Sequence, residues 1–326
     1  MDRIQLLRQW LAAAVGTDKF ALAPASSDAS FRRYFRISLP DGGSRIAMDA
    51  PPEKEDCGPF VRVAALFGEA GVMVPRVHAQ DLKQGFLLLS DLGNRTYLDE
   101  LNEASADRLY KDAIRALVKI QTASRPEVLP PYDRALLTRE LKLFPEWYIE
   151  RQLGAPLMPD DDESLRLAFE SILANNLAQP RVFVHRDYHS RNLMVCDPGP
   201  GVLDFQDAVE GPITYDLVSL LRDAYIAWDE ERVIDWAIFY WDQARRAGLP
   251  VHADFGEFYR DFEWMGVQRQ IKVVGIFARL ACRDGKRGYL DDQPRVLGYL
   301  RRASERYREL APLAKIVDRL QDGAAA

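Results

Sequence analysis

The chain has 326 residues, a formal net charge of −6 from 43 Lys and Arg against 49 Asp and Glu, and 48% hydrophobic residues. This mild acidity argues against a dedicated nucleic-acid binder, which needs a basic face for phosphates, and no apolar run reaches the roughly 18 residues of a membrane span. Cys57, Cys196 and Cys282 are odd in number and far apart, which supports neither a disulfide framework nor a zinc ribbon, so the chain reads as cytoplasmic, of about two lobes, with no protein partner implied.

From Ile4 to Val15 the apolar residues Ile4, Leu7, Leu11 and Ala14 fall on one helical face. Short β-like runs follow at Phe20-Ala-Leu22, Tyr34 to Leu39 and Arg45 to Met48, and Pro40-Asp-Gly-Gly43 between the last two predicts a hairpin. A helix is expected from Pro59 to Ala70, stopped by Gly71, then strands at Arg76 to Ala79 and Phe86 to Ser90. Beyond Thr96 the period is mostly helical, with helices expected over 105–123, 136–151, 162–178, 216–247, 254–283 and 294–320. One β-rich island, Val182 to Phe205, interrupts them. The pattern predicts an α+β, bilobal architecture: a sheet-containing lobe over 1–92, a junction near 89–93, and a helical lobe over 93–326.

The island carries the chemistry. An apolar strand delivers His185-Arg186-Asp187, four further residues and Asn192; a second short strand follows, and a third ends in Asp204-Phe205. This is the catalytic-loop and metal-Asp pattern of phosphoryl transfer. That reaction asks little covalent help of the protein but much positioning and charge neutralisation. Asp187 is the candidate base for the attacking hydroxyl, and Asn192 and Asp204 are hard oxygen ligands suited to Mg²⁺. A tight hairpin over the twelve residues between them brings the two ligands to one place. His185 suits bracing the loop by hydrogen bonding, and Arg186 suits either positioning it or an ion pair. The competing metal-hydrolase reading of His185-x-Asp187-x-His189 is weak, because only four His exist and no Cys or His cluster completes the set.

On these residues the chain resembles the aminoglycoside phosphotransferase and choline-kinase superfamily, small-molecule kinases of protein-kinase-like fold. The resemblance extends to Gly211-Pro-Ile-Thr-Tyr-Asp216-Leu217 and to Phe86-Leu-Leu-Leu-Ser90-Asp-Leu92-Gly93. It implies that Asp216 braces the catalytic loop, a position that fits a helix N-cap equally well. It further implies that main-chain groups at Ser90 and Leu92 meet the adenine of ATP. Four stretches are similar to the cell-wall sugar kinases within the superfamily: Asp28 to Arg36, Met48 to Pro52, Leu87 to Gly93 and Val267 to Arg279. The function this implies is ATP-dependent phosphorylation of N-acetylmuramate or N-acetylglucosamine at the anomeric hydroxyl, in amino-sugar salvage. An aminoglycoside or amino-alcohol kinase and a non-catalytic nucleotide-binding module are the alternatives.

One departure bears on the last of these. Met48 stands where the strand normally supplies a phosphate-binding Lys, and residues 26–30 lack the usual glycines. Small hydroxyl residues, Ser27 and Ser30 among them, still let backbone N–H groups approach phosphates. Arg32, Arg33 and Lys54 are the candidate compensating cations, each compatible with an ordinary surface role. For the acceptor, candidate lining comes from Trp147, Tyr148, Glu150, Trp264, Gln268, Arg269, Lys272 and Arg279, although a Trp in a helix is more often core than a sugar platform.

Overall fold

The computed structural model describes residues 2–27 and 31–325. In chain order the elements begin α1 (Arg3–Val15), β1 (Ala21–Ser27), β2 (Arg33–Ser38), β3 (Ser44–Asp49), α2 (Gly58–Glu69), β4 (Val77–Asp81), β5 (Phe86–Ser90) and α3 (Tyr97–Glu100). They continue with α4 (Ala106–Thr122), α5 (Arg134–Leu143), a π-helical stretch (Phe144–Gln152), α6 (Pro159–Ala178), β6 (Arg181–Val184), β7 (Leu193–Met194), β8 (Gly201–Val202) and β9 (Val209–Pro212). The chain closes with α7 (Tyr215–Leu221), α8 (Glu230–Arg246), α9 (Phe255–Asp284), a 3₁₀ turn (Arg287–Asp291), α10 (Gln293–Arg306) and α11 (Ala311–Ala325). Among the described residues no helix is long and apolar enough to cross a membrane.

The chain divides into two compact units, Met1–Glu100 with Asn192–Asp207, and Leu101–Arg191 with Ala208–Ala326. The sequence places the boundary at 92/93 and assigns 192–207 to the helical lobe; the contacts group that segment with the sheet instead. The reason is local packing: the Phe205 ring lies 4.8 Å from Phe60 and 6.0 Å from Phe67, both on the buried face of α2.

The first unit is built on an antiparallel sheet of order β1-β2-β3-β5-β4. The Pro40-to-Gly43 turn joins β2 to β3 in the register Arg33↔Asp49 to Ser38↔Ser44, as the turn residues predict. Leu7 and Leu11 of α1 pack on Ile37, Ala47, Phe86 and Leu88, so one face of the sheet is closed by the amphipathic N-terminal helix. The β7–β8 hairpin joins this unit through an isolated bridge between Met73 and Gly201 and another between Thr96 and Met194.

The second unit is helical around the buried helix α9, with β6 and β9 paired antiparallel. Three of the expected helices are subdivided. The expected 136–151 helix turns π-helical at Phe144, one residue before Pro145, whose missing N–H removes an α-type bond. The expected 216–247 helix breaks over 222–229, where the Asp223 carboxylate accepts from the Tyr225 N–H two residues on, a turn bond that competes with helix. The expected 294–320 helix breaks at Tyr307, whose extended backbone precedes a restart at Ala311-Pro312, a first-turn position that proline tolerates.

Candidate active site

In the second unit, β6 buries Val182, Phe183 and Val184 and hands the chain to a loop beginning at His185. The main-chain N–H groups of His185 and Arg186 both donate to the Asp216 carboxylate, at 2.6 and 3.0 Å. Successive amides converge on one anion where the backbone turns into the left-handed region, and Arg186 does so with φ +80°. The Asp187 N–H donates to His185 Nδ1 at 3.2 Å. Farther along, the Tyr188 hydroxyl donates to the Ala113 carbonyl at 2.8 Å and the Ser190 N–H to Asp223 at 2.9 Å. The loop is therefore anchored to α7, to α4 and to the segment between α7 and α8, and Asp187 lies between its anchors.

Charge follows this geometry. Burial favours the neutral form of Asp187, but Lys272, His189, Arg186 and His185 outweigh it and hold the carboxyl below its ordinary range. At Asp216 the same burial prevails: with the negative Asp187 nearby it overrides the two N–H bonds and pushes the carboxyl up to about 7.

In the first unit the β7–β8 hairpin aligns Asn192 and Asp204. The Leu203 N–H donates to the Asn192 carbonyl at 2.9 Å, and Asn192 Nδ2 donates to Asp204 Oδ2 at 3.3 Å. Gln206 Nε2 donates to Asp204 Oδ1 at 2.8 Å, and Asp204 itself has φ +62°. The Asn192 side-chain amide and the Asp204 carboxylate thus meet from opposite ends of one hairpin, and each residue carries a hard side-chain oxygen. That hard-oxygen donor pair fits a divalent cation of the Mg²⁺ kind. Among the described residues no three His, Cys, Asp or Glu side chains gather to hold a metal by themselves.

Ser27 closes β1, and Ser30 lies outside the described residues. Met48 is fully buried in β3, and the next residue, Asp49, is a buried carboxylate that accepts from Arg3 Nε at 2.7 Å and from Arg33. Arg33 is thus committed to the sheet. Arg32 pairs with Glu55 at 2.9 Å, and the Lys54 ammonium sits 4.1 Å from the Phe31 ring centre. At the expected hinge the Ser90 N–H donates to the Arg76 carbonyl at 2.9 Å, while the Leu92 carbonyl accepts from the Cys196 thiol at 3.4 Å. Arg36 and Asp91 clamp this segment: Arg36 donates twice to Asp91, at 2.7 and 3.1 Å, and once to the Gly93 carbonyl at 2.8 Å.

The expected acceptor residues do not form one wall. Trp147 and Glu150 lie on the π-helical stretch, with the Arg151 guanidinium 4.5 Å from the Trp147 ring centre. Trp264 is buried, edge-on to Tyr307 at 5.6 Å, and Tyr148 is buried against Phe144 at 5.2 Å. Gln268 donates to the Leu137 carbonyl at 3.0 Å and Arg269 to the Arg222 carbonyl at 3.3 Å, so both tie helices together. Arg279 is half-buried. Lys272 joins the catalytic-loop surroundings, donating to the Tyr215 hydroxyl at 2.9 Å and pairing with Glu140 at 3.3 Å, and the Arg269 charge acts on His189 and Asp216 there.

Glu140 itself, Tyr132 and Asp223 are absent from the candidates read from the sequence. A signal for Glu140 existed: with Leu137, Leu141 and Phe144 it occupies the helical spacing of a core face, where a carboxylate is out of place unless paired.

Several known proteins are similar to this chain. A sequence profile described as the phosphotransferase enzyme family matches residues 21–249. A Pseudomonas putida protein named N-acetylmuramate/N-acetylglucosamine kinase is 52% identical over 306 residues, covering 94% of this chain and 90% of the relative. A Neisseria meningitidis serogroup B protein of the same name is 51% identical over 317 residues, covering 96% and 94%. Among solved structures, the ADP-bound aminoglycoside phosphotransferase APH(2'')-Ib superimposes with a TM-score of 0.57 at 16% identity, covering 90% of this chain and 97% of its own.

Proposed function

Because the chain belongs to the phosphotransferase enzyme family, we propose that it moves the γ-phosphoryl group of ATP to the anomeric hydroxyl of N-acetylmuramate and N-acetylglucosamine. The observation that carries the chemistry is a loop carboxylate, Asp187, kept ionised by its neighbours and anchored through backbone bonds to Asp216. The acceptor identity rests on the two relatives that are about half identical to this chain over more than nine-tenths of its length.

Asp187 orients the sugar hydroxyl and takes its proton as the oxygen–phosphorus bond forms and the bond to the ADP oxygen breaks. An anomeric hydroxyl is more acidic than an ordinary alcohol, so a carboxylate is an adequate base. Asn192 and Asp204 are the residues that would hold Mg²⁺, which supplies neutralisation of phosphate charge. Arg32 and Lys54 remain the candidates for the cation that Met48 lacks, since Arg33 is bound to Asp49. The product, a sugar 1-phosphate, is the kind of compound that amino-sugar salvage passes to nucleotidyl transfer.

The test is ATP consumption with N-acetylmuramate, N-acetylglucosamine, kanamycin and choline, followed by NMR of the product. Phosphate on C1 of an acetylated sugar is the expected result; turnover with kanamycin or choline alone overturns the acceptor assignment. Asp187→Asn is expected to lower kcat by about 10²–10⁴-fold while ADP still raises the melting temperature. Wild-type turnover in that variant removes Asp187 as the base.

A further inference from the structure

Beside the catalytic loop lies a buried charge cluster that the phosphoryl-transfer roles do not use. Glu140 of α5 and Lys272 of α9 are 4% and 6% exposed. The Glu140 carboxylate accepts from Arg186 Nη2 at 2.6 Å and from the Tyr132 hydroxyl, and lies 3.3 Å from Lys272 Nζ. Lys272 Nζ also donates to the Tyr215 hydroxyl at 2.9 Å. The two tyrosine rings stand 5.2 Å apart, with the Arg186 guanidinium 5.5 Å from one ring centre and the Lys272 ammonium 5.5 Å from the other. One carboxylate thus holds two cations from two different elements, inside a frame of two aromatic rings.

Arg186 matters here for its backbone. It is the residue immediately before Asp187, and its left-handed φ of +80° is the conformation that turns two N–H groups onto Asp216. A non-glycine residue does not adopt that region without support. Its side chain ends on Glu140, so the strained link is fixed at both ends: main chain on Asp216, guanidinium on Glu140. Lys272 is the other half of the arrangement. Its charge helps to keep Asp187 ionised, yet its hydrogen bond and ion pair go to Tyr215 and Glu140.

We propose that Glu140 is a positioning residue for the transfer reaction, anchoring Arg186 beneath Asp187 and holding Lys272 where it charges the base without sequestering it. This rests on the reading of Asp187 as the base. The groups that bear on Asp187 are then Lys272 from α9, Arg186, His185 and His189 from its own loop, and Asp216 from α7. With Glu140 neutral, two buried cations lose the carboxylate they share, and Asp187 becomes the anion they turn to.

The experiment compares Glu140→Gln, Lys272→Met and the double variant with wild type, with melting temperature and ADP binding measured for each. Wild-type turnover and its loss in Asp187→Asn are established first, so failure of the kinase reading shows before the network is tested. Glu140→Gln is expected to lower kcat by at least about 10-fold, since small misplacements of a reacting group cost that much, with the KM for ATP within about twofold. Adding Lys272→Met removes the surplus cation and regains part of the lost kcat. Kinetics of Glu140→Gln within twofold of wild type overturn the proposal, as do losses that simply multiply in the double variant. If Glu140→Gln does not fold, Lys272→Met decides alone. It leaves the Glu140–Arg186 pair in place, and the acid limb of its kcat–pH profile is expected to move to higher pH; an unmoved limb overturns the proposal.

Discussion

Asp187 and Asp216 share one loop cage and are driven in opposite directions. Cations surround the first, whereas the second lies fully buried with an anion nearby, and its carboxyl rises to about 7. The raised value has a sign that can be checked. The folded chain keeps a proton on Asp216 that the unfolded chain has already released, so stability from this group is full below the ordinary carboxylate range. It is lost as the pH climbs through about 7. Between pH 5 and 8 the melting temperature of wild type is expected to fall relative to that of Asp216→Asn, on the order of a few degrees; a constant difference across that range contradicts it. The pattern of Asp187, Asn192 and Asp204 stands out in the sequence because a loop and the hairpin after it hold them at short fixed spacings, whereas Asp216 enters there only through the family resemblance. The pairing of Glu140 with Lys272 does not stand out, because it joins two helices far apart in the chain and no local rule specifies which core position meets which.

At the level of elements, the hairpin and most helices follow from turn residues and the 3.6 period, while the breaks follow from single residues. Pro145, Pro312 and the Asp223 turn each overrule a helical pattern that continues through them. One crossing is set by a residue the period does not reveal. A Cβ placed on Gly275 in α9 would lie 2.5 Å from the Leu143 carbonyl carbon and 2.6 Å from its oxygen, so α9 meets the end of α5 backbone to backbone. Neither backbone can move aside without disturbing a helix. Gly275→Ala is therefore expected to destabilise by about 1–3 kcal/mol through overpacking. Thermal unfolding checks it: each kcal/mol lost lowers the midpoint by roughly 2–4 °C in a chain of this order of size. An unchanged midpoint means the crossing has slack.

For the molecule as a whole, the proposed nucleotide and metal are expected to act as linked stabilisers of the folded state. A ligand present at about 100 times its Kd adds roughly 2.7 kcal/mol. ADP with Mg²⁺ is expected to raise the melting temperature more than ADP with a chelator, and Asp204→Asn to abolish the difference between the two. Equal shifts for wild type with and without Mg²⁺ would separate Asp204 from metal binding. The presence of two units is readable from texture alone, one rich in short strands and the other helical. Their true membership is not readable, because the segment 192–207 is assigned by where Phe205 packs and not by its own pattern.

That discontinuous membership has a consequence for synthesis. Residues 1–100 leave the ribosome first, but the hairpin that finishes their unit emerges only after roughly ninety more residues have been added. At about 5–20 residues per second this is an interval of roughly 5–20 s. Throughout it, Phe60 and Phe67 lack the ring of Phe205 that later covers them. The nascent chain thus carries an uncovered aromatic surface for seconds, a natural point of engagement for chaperones and of vulnerability to aggregation when translation stalls.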